Sequence, residues 1–318
     1  MGSTSARDRL ADAAELYWVR DLKVEAVGRE LGVSRSTVSR LLAQAREEGV
    51  VEFVIHRDPD SPGLHRQVLE ERYGVRAVVA EVSPDASPAL CRLAAGRAAA
   101  TLLMALLHPG AVLAVSWGAT IEAVSSQLPH RRVPDLKVVQ MHGSGNVASL
   151  GKNYGTLILD RFGSAFDADV QLFPVPTIFD SARTRELMWQ EGSIRRTVDL
   201  RASADVLLAS VGVPDEDHPS RLYESGYLTR ADVDELAREE TVGNIASVFF
   251  RADGSTDGID VNARSTGMPL DELRRIRSRV FVVADPGKAE ALRAALEAGL
   301  VTDLVVDQQT AKVLVEAP

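Results

Sequence analysis

Residues 34–42 follow a short apolar segment that ends in glycine, and they read Ser34-Arg35-Ser36-Thr37-Val38-Ser39-Arg40-Leu41-Leu42. In the preceding segment Val27 and Leu31 are spaced one helical turn apart, which predicts a helix over residues 24–31. Gly32 tolerates the positive φ that ends such a helix, and Ser34 is a favoured N-cap for the next one. The pattern therefore predicts two short helices joined by a tight turn, the helix-turn-helix arrangement.

The second of these helices has two distinct faces. Its apolar residues, Val38, Leu41 and Leu42, repeat with helical spacing and are predicted to face the core. The opposite face carries side chains that donate to phosphates and base edges when such a helix lies in a major groove. These candidate DNA-binding residues are Arg35, Ser36, Ser39 and Arg40. An ordinary pair of amphipathic helices is the alternative, and the coincidence of turn, cap and basic positions favours DNA binding.

Length and charge indicate two domains with different tasks. The chain has 318 residues, more than a single domain usually contains, and a formal net charge of −9. Residues 1–57 hold nine Lys or Arg and nine Asp or Glu, so the acidic excess lies downstream. DNA binding is therefore expected to depend on a local basic face and not on bulk charge.

Composition also indicates the cellular compartment in which the protein is expected. The lone cysteine, Cys91, excludes an internal disulfide and fits a reducing compartment. The apolar run over residues 98–107 is about half the length that spans a bilayer, and residues 1–20 lack the pattern of a signal peptide. A soluble cytoplasmic protein is expected, with no metal and no cofactor.

Proline, glycine and aspartate cluster at residues 58–63, and this cluster predicts the domain boundary. Residues 1–57 are then a helix-turn-helix DNA-binding domain, with a first helix near residues 8–19 and a short strand near 50–56. Residues 58–318 form the larger domain, which is expected to bind an effector and to oligomerise.

The larger domain alternates buried strands with helices. Four strands, near residues 111–115, 136–141, 206–211 and 279–284, each end in a loop that contains glycine. Such alternation predicts an α/β fold with a doubly wound parallel sheet. Ligands of these sheets lie beyond the carboxyl ends of the strands, where Gly118, Thr120 and Lys288 are candidates for holding an anion.

The chain resembles the SorC family of bacterial transcriptional regulators, which is related to the DeoR-type repressors. The resemblance covers nearly the whole chain. It rests on residues 33–42 with Ala45-Arg46-Glu47-Glu48-Gly49, on Ser116-Trp117-Gly118-Ala119-Thr120, on Val242-Gly243-Asn244-Ile245 with Phe249-Phe250, and on residues 288–296 with Asp307 and Thr310-Ala311.

The resemblance implies a regulator of a carbohydrate-utilisation operon. Its larger domain would have the fold of phosphosugar isomerases, bind a sugar phosphate or polyol effector, and assemble into a homo-oligomer, a dimer or tetramer, on operator DNA. The residues that it places at the effector are Gly118, Ala119, Thr120, Gly143, Ser144, Asp215, Asn244 and Lys288.

Departures from the family pattern leave open whether the effector carries a phosphate group. Ser116 stands where glycine is usual, Asn244 stands where aspartate is common, and Asp285-Pro286-Gly287 replaces a Gly-Gly loop. A carboxylate at Asp285 would repel a phosphate a few ångströms away, so an unphosphorylated effector is an alternative.

Two other function classes remain as alternatives. One is a sugar-phosphate isomerase or lyase fused to a DNA-binding module, with candidate bases or nucleophiles at His142, Lys152, Asp215 and Asp217. Each of these has a simpler interpretation as a loop or solvated surface residue. The other class is a scaffold for oligomerisation, which would not need several glycine loops at one edge of the sheet.

Overall fold

The chain divides into two compact units, Met1–Arg57 and Asp58–Pro318. The computed structural model describes residues 6–51, 61–146, 154–214, 221–224 and 226–316. Of the strand predicted near residues 50–56, all but Val50 and Val51 lie outside the described residues, as do residues 58–60 of the predicted linker.

The first unit is helical over its described residues and contains the predicted helix-turn-helix. Its elements are α1 (Ala6–Ala14), a π-helical turn (Glu15–Val19), α2 (Val24–Leu31) and α3 (Arg35–Glu47). Gly32 ends α2 with a φ of +66°, and the Ser34 hydroxyl caps α3 by accepting a hydrogen bond from the Thr37 amide at 3.2 Å. The fold of this region is confirmed, and the helix predicted over residues 8–19 differs only in its final π-helical turn.

The core of this unit forms where α1 and α2 pack against α3. Ala13, Val27 and Val38 are fully buried, Leu42 is nearly so, and Leu41 packs at the edge of the cluster. The apolar face of α3 therefore points inward, as its spacing predicts.

The second unit contains twelve described α-helices and ten strands. Its helices are α4 (Pro62–Tyr73), α5 (Pro88–Leu106), α6 (Ala119–Ser125), α7 (Tyr154–Phe166), α8 (Ala182–Met188), α9 (Gly192–Ala202), α10 (Arg221–Glu224), α11 (Arg230–Arg238), α12 (Asp260–Arg264), α13 (Leu270–Leu273), α14 (Ala289–Glu297) and α15 (Gln308–Glu316), with a 3-10 turn at Pro286–Lys288. Its strands are β1 (Arg76–Ala80), β2 (Val112–Val115), β3 (Lys137–Gln140), β4 (Asp169–Gln171), β5 (Val206–Ala209), β6 (Val211–Gly212), β7 (Thr241–Ile245), β8 (Val248–Arg251), β9 (Ser278–Val283) and β10 (Asp303–Asp307).

Seven of the strands form one parallel sheet in the order β1-β10-β9-β5-β2-β3-β4. From β2 the chain proceeds to β3 and β4 on one side, whereas from β5 it proceeds to β9 and β10 on the other. The switch in direction lies between β2 and β5, and ligands of parallel sheets bind outside the carboxyl ends of the strands at such a point.

Helices cover both faces of this sheet, so its strands are buried on both sides. Along β2, for example, Val112 and Ala114 belong to one apolar cluster, while Leu113 and Val115 belong to another. The doubly wound α/β fold predicted from the alternation of strands and helices is confirmed.

Two details differ from the prediction. The strand expected over residues 206–211 ends at Ala209, and Val211–Gly212 pairs instead with β7 in a separate antiparallel sheet of β6, β7 and β8. The sequence after Gly118 also predicts a helix through Leu128, and this helix, α6, ends at Ser125. The shortened β5 ends at the edge where the loops converge, whereas α6 is shortened at the end that lies away from the cavity lining. The periodicity of apolar residues indicates neither bound.

Among the described helices, α5 is long and apolar enough, by length and composition, to cross a membrane. Six of its residues, Cys91, Ala95, Gly96, Ala99, Ala100 and Leu103, are nevertheless buried. The helix packs across β1, β10 and β9 and against α6, which is the packing of a core helix.

Candidate functional site

The four candidate DNA-binding residues of α3 are all exposed, but their contacts differ. Arg35 Nη1 lies 3.2 Å from the Glu25 carboxylate. The Ser36 hydroxyl shares a hydrogen bond with Ser34 Oγ, and the Ser39 hydroxyl donates to the Arg35 carbonyl. Arg40 makes no hydrogen bond or ion pair within the described part of the chain. Its guanidinium is therefore available to another molecule without breaking a contact.

In the second unit, a cavity of about 240 Å³ lies at the carboxyl ends of the parallel strands. The loops after β2, β3, β5 and β9 all contribute to its wall, and β7 with its following turn completes it. Its lining is Ser116, Trp117, Gly118, Ala119, Thr120, His142, Ser210, Val211, Gly212, Arg221, Leu222, Asn244, Ala246, Ser247 and Lys288. The four glycine loops thus meet at one site.

Five of the predicted effector residues lie in this lining, namely Gly118, Ala119, Thr120, Asn244 and Lys288. Asp215 lies outside the described residues, as do Lys152 and Asp217 from the enzyme alternative. Gly143 and Ser144 are not in the lining, and their neighbour His142 takes that place.

The loop after β2 owes its shape to Gly118, whose φ is +151°. Only glycine adopts this region of backbone conformation without strain, so the close approach of the chain to the cavity depends on it. The helix that follows, α6, has seven residues, and such a short helix contributes little dipole. The charge of the site therefore comes from side chains.

Two cations line the cavity, and the described lining contains no carboxylate. Burial lowers the pKa of the Lys288 ammonium, and neither Lys288 nor Arg221 has a hydrogen-bonding or ion-pairing partner among the described residues. Arg221 is stacked on the Tyr154 ring, with 3.8 Å between its guanidinium carbon and the ring centroid. The sequence did not indicate Arg221, because it lies on a four-residue helix with no periodic pattern.

Asp285, whose carboxylate was expected to disturb a phosphate, does not line the cavity. Its side chain accepts a hydrogen bond of 3.0 Å from the Gly287 amide and so closes the turn before α14. The same carboxylate acts on Lys288, whose pKa it raises against the larger effect of burial, so its influence on a bound phosphate stays a prediction.

Gly143 and Ser144, which are predicted to contact the effector, make hydrogen bonds within the protein. The Gly143 carbonyl accepts hydrogen bonds from Trp117 Nε1 at 3.1 Å and Thr177 Oγ1 at 2.8 Å, and its amide donates to Thr266 Oγ1 at 3.0 Å. Ser144 Oγ accepts a hydrogen bond of 3.0 Å from the Gln140 amide. These hydrogen bonds hold the loop after β3 in place. Gly143 contacts the lining residue Trp117 but does not itself line the cavity.

The same loop is fixed by Arg201, which is 2% exposed. Its Nη1 donates to the carbonyls of Met141 at 2.7 Å and Thr266 at 2.6 Å, and its guanidinium carbon lies 5.1 Å from the centroid of the Phe173 ring. Burial lowers the pKa of Arg201 to about 10, so the side chain stays charged at neutral pH. One buried cation thus ties the end of β3 to the segment before α13.

His142 is 3% exposed and stacks on Trp117, with 4.8 Å between ring centroids and 21° between ring planes. Burial, and then the nearby charge of Arg201, lower the pKa of His142 to about 3. The imidazole is therefore neutral at physiological pH. Neither of its ring nitrogens has a hydrogen-bond partner among the described residues, and the same is true of Asn244 Nδ2.

Sequence comparison places both units in known families. Residues 64–316 match the family described as "Putative sugar-binding domain", and residues 3–54 match the homeodomain-like helix-turn-helix family. The first match covers well over half of the chain. The chain belongs to the SorC family of transcriptional regulators.

Relatives and solved structures agree with this membership. The chain is 29% identical over 307 residues to the deoxyribonucleoside regulator of Bacillus subtilis, covering 96% of each chain. A solved domain of a possible sugar-binding transcriptional regulator from Arthrobacter aurescens is 40% identical, with a TM-score of 0.77 over 82% of this chain and 100% of that one. The full-length sorbitol operon regulator SorC from Klebsiella pneumoniae has the same fold, with a TM-score of 0.75 at 24% identity over 98% of this chain and 99% of that one.

The SorC-family assignment also decides between the function classes left open by the sequence. These relatives are transcriptional regulators, and the enzyme alternative finds no support among them. The two candidate sites of the chain, the exposed face of α3 and the cavity of the larger unit, therefore belong to a DNA-binding regulator with a sugar-binding domain.

Proposed function

We propose that this SorC-family protein regulates a carbohydrate-utilisation operon in the cytoplasm, and that a phosphorylated sugar or polyol in the cavity controls its affinity for operator DNA. The observation that carries the proposal is a cavity at the switch point of the sheet with two cations and no carboxylate in its described lining. An anionic ligand complements such a site, since each charge-assisted hydrogen bond contributes about 1.5–3 kcal/mol.

Lys288 supplies the main argument for a phosphate. Desolvation of the half-buried Lys288 ammonium is costly, and the nearby Asp285 carboxylate offsets this cost only in part, since the pKa of Lys288 is still lowered. Lys288 also sits at the start of α14, where the helix dipole disfavours a cation. Both costs fall when a dianion binds beside it. Asp285 lies outside the cavity lining and leaves the pKa of Lys288 lowered, so the cationic lining favours the phosphorylated effector over the parent sugar.

The test compares matched ligands and matched variants. Isothermal calorimetry is run with sugars and their phosphates on the wild type, Lys288→Ala and Arg221→Ala, with Arg293→Ala on α14, outside the cavity lining, as the charge control. Lys288→Ala is expected to lower the affinity for a sugar phosphate by about 10-fold or more and to change the affinity for the parent sugar far less. Equal binding of sugar and phosphate, unchanged in Lys288→Ala, contradicts a phosphate site.

A gel-shift assay connects the ligand to DNA. The fragment upstream of the regulated operon is titrated with the protein while each ligand that binds in calorimetry is added. A ligand of the cavity is expected to change the apparent DNA affinity, with either sign. If no sugar or sugar phosphate changes it, the proposed control by effector is wrong.

The DNA-binding form is proposed to be a homo-oligomer, a dimer or tetramer, because one helix-turn-helix offers too little contact for specific binding. The surface proposed for self-association is α5 beside the edge strand β1, where Leu90 and Leu93 are 56% and 38% exposed. This surface also carries Glu81, Asp85 and Arg97, whose side chains make no ion pair within the described residues. A two-fold axis would pair the acids of one copy with Arg97 of the other.

Light scattering tests this surface. Leu93→Arg is expected to reduce the mass of the assembly, and Leu157→Arg, which changes a leucine that is 50% exposed on α7, serves as the control. A wild-type mass for Leu93→Arg excludes the α5 surface, and a strictly monomeric wild type, free and DNA-bound, excludes the oligomer itself.

A further inference from the structure

Two neutral side chains in the cavity wall lack the hydrogen bonds that buried polar groups normally make. His142 Nδ1 and Nε2 and Asn244 Nδ2 are all buried and have no partner among the described residues. An unsatisfied buried donor or acceptor costs about 1–3 kcal/mol, so such groups are rare in native structures. Both residues line the same cavity, and a ligand there can supply what the protein does not.

The ring of His142 is held in place without use of its nitrogens. It stacks on Trp117, and Trp117 is itself fixed by the hydrogen bond from its Nε1 to the Gly143 carbonyl. The backbone of His142 is fixed as well, because its carbonyl accepts a hydrogen bond of 2.8 Å from the Gln140 side chain. The imidazole is therefore oriented in advance, and neither of its nitrogens is engaged by a described residue.

The chemistry of the two side chains defines what that molecule must offer. A neutral imidazole presents one N–H donor and one acceptor nitrogen, and the Asn244 amide adds donors and an acceptor. A hydroxyl group both donates and accepts, so neighbouring hydroxyls satisfy the two residues together, whereas a carboxylate or phosphate would leave the acceptor nitrogen without a donor.

We propose that His142 and Asn244 form a neutral subsite that recognises adjacent hydroxyl groups of the effector, apart from the cationic end at Lys288 and Arg221. This inference rests on the proposed function and adds to it which part of the ligand is read by which side chains. His142 is then a residue that determines specificity, a role that its position in a glycine-rich loop did not indicate.

The experiment begins with one panel of probes, ribose 5-phosphate, glucose 6-phosphate and sorbitol 6-phosphate, measured by calorimetry on the wild type. The tightest-binding probe is then compared with each of its monodeoxy derivatives on the wild type and on His142→Phe, which keeps a ring beside Trp117. His65→Phe is the matched control, because His65 is also buried with an unpartnered Nδ1 but lies outside the cavity lining.

The expected result is a loss of about 10- to 100-fold in affinity of the probe for His142→Phe and no change for His65→Phe. At least one monodeoxy derivative should bind His142→Phe with less than about a twofold lower affinity than it binds the wild type. The reason is that this derivative already lacks the hydroxyl that His142 contacts. Unchanged affinity of the probe for His142→Phe would overturn the proposal. So would a result in which, for every derivative, the loss of affinity from His142→Phe adds in full to the loss from removing the hydroxyl.

A second measurement does not depend on the variant. In wild-type protein labelled with ¹⁵N-histidine, the ring nitrogens of His142 are expected to shift on addition of the tightest-binding probe while the imidazole remains neutral. Ring resonances that do not move at saturation overturn the subsite even if His142→Phe fails to fold. If no probe of the panel binds the wild type, the proposed function fails for these ligands and the subsite with it; if a probe binds without involving His142, only the subsite fails.

Discussion

The Arg35 guanidinium lies 3.2 Å from the carboxylate of Glu25, so the first basic residue of α3 is already engaged by the preceding helix. Arg40, further along α3, has no such partner within the described residues. Both side chains are exposed, yet only Arg40 can contact DNA without giving up an ion pair. This difference separates two residues that the sequence presents as equivalent.

Arg40→Ala is expected to weaken operator binding by about 1–3 kcal/mol and to reduce discrimination at one base pair, because a bidentate contact with guanine contributes this much. The fold should be unaffected, since the side chain is exposed. Fluorescence anisotropy with operator and scrambled DNA measures both effects. Arg66→Ala, which removes an exposed arginine from α4, controls for the loss of charge. Unchanged affinity for both DNAs would show that Arg40 does not read the operator.

Glu25→Gln should strengthen DNA binding about 2- to 10-fold at low salt, because it frees Arg35 and removes a carboxylate that would repel the phosphates. Stability should change by less than about 1 kcal/mol, which is the usual contribution of an exposed ion pair. The measurement is operator affinity over a series of salt concentrations, where the slope should become steeper. A weaker complex would mean that Glu25 orients Arg35 for its contact.

Acid should destabilise the larger unit through His142. Burial and the charge of Arg201 lower the pKa of His142 to about 3, below the ordinary 6.5. Between these values the unfolded chain binds a proton that the folded chain does not, so the free energy of unfolding decreases as the pH falls, by up to about 1.4 kcal/mol per pH unit.

Urea unfolding at about pH 7.5, 6 and 5 measures this dependence. His142→Phe should show a shallower decline than the wild type, because the titrating group has been removed. Parallel curves for the two proteins would contradict a buried neutral histidine. Above about pH 7 the contribution of His142 is complete, and the two curves should keep a constant separation.

Arg201→Met is expected to lower the free energy of unfolding by about 2–4 kcal/mol, because it leaves the carbonyls of Met141 and Thr266 without their charged donor. Arg196→Met, on the exposed face of the same helix, should change it by less than about 0.5 kcal/mol. Thermal unfolding followed by circular dichroism compares the two. A small effect of Arg201→Met would mean that losing the desolvation cost of the buried charge offsets the lost hydrogen bonds.

Local signals made much of the fold predictable. The turn at Gly32, the cap at Ser34 and the apolar spacing of α3 act within a few residues of each other, and the structure has them as predicted. The buried strands were equally clear, because both faces of the parallel sheet are covered and each strand is continuously apolar. The convergence of the four glycine loops followed from the topology of such sheets.

The candidate site was predictable only in part, because cavity walls are made by residues far apart in the chain. Lys288 and Asn244 were indicated by the family motifs and do line the cavity. Gly143 and Ser144 lie outside the cavity lining, whereas the preceding residue, His142, belongs to it, and spacing in the sequence does not resolve a difference of one residue. Arg201 has no signal in the sequence, since a charged residue on a helix is ordinarily solvated.

The bridge from Arg201 to two carbonyls has a practical consequence for anyone who wishes to turn this regulator into a biosensor. The guanidinium holds the loop after β3 by its hydrogen bonds to the Met141 and Thr266 carbonyls and does not itself line the cavity. A mutant library that varies His142, Asn244 and Thr120 while retaining Arg201 would therefore sample new ligands on an unchanged support. In libraries that also randomise Arg201, most members would start with an expected loss of about 2–4 kcal/mol in the free energy of unfolding before any ligand was tried.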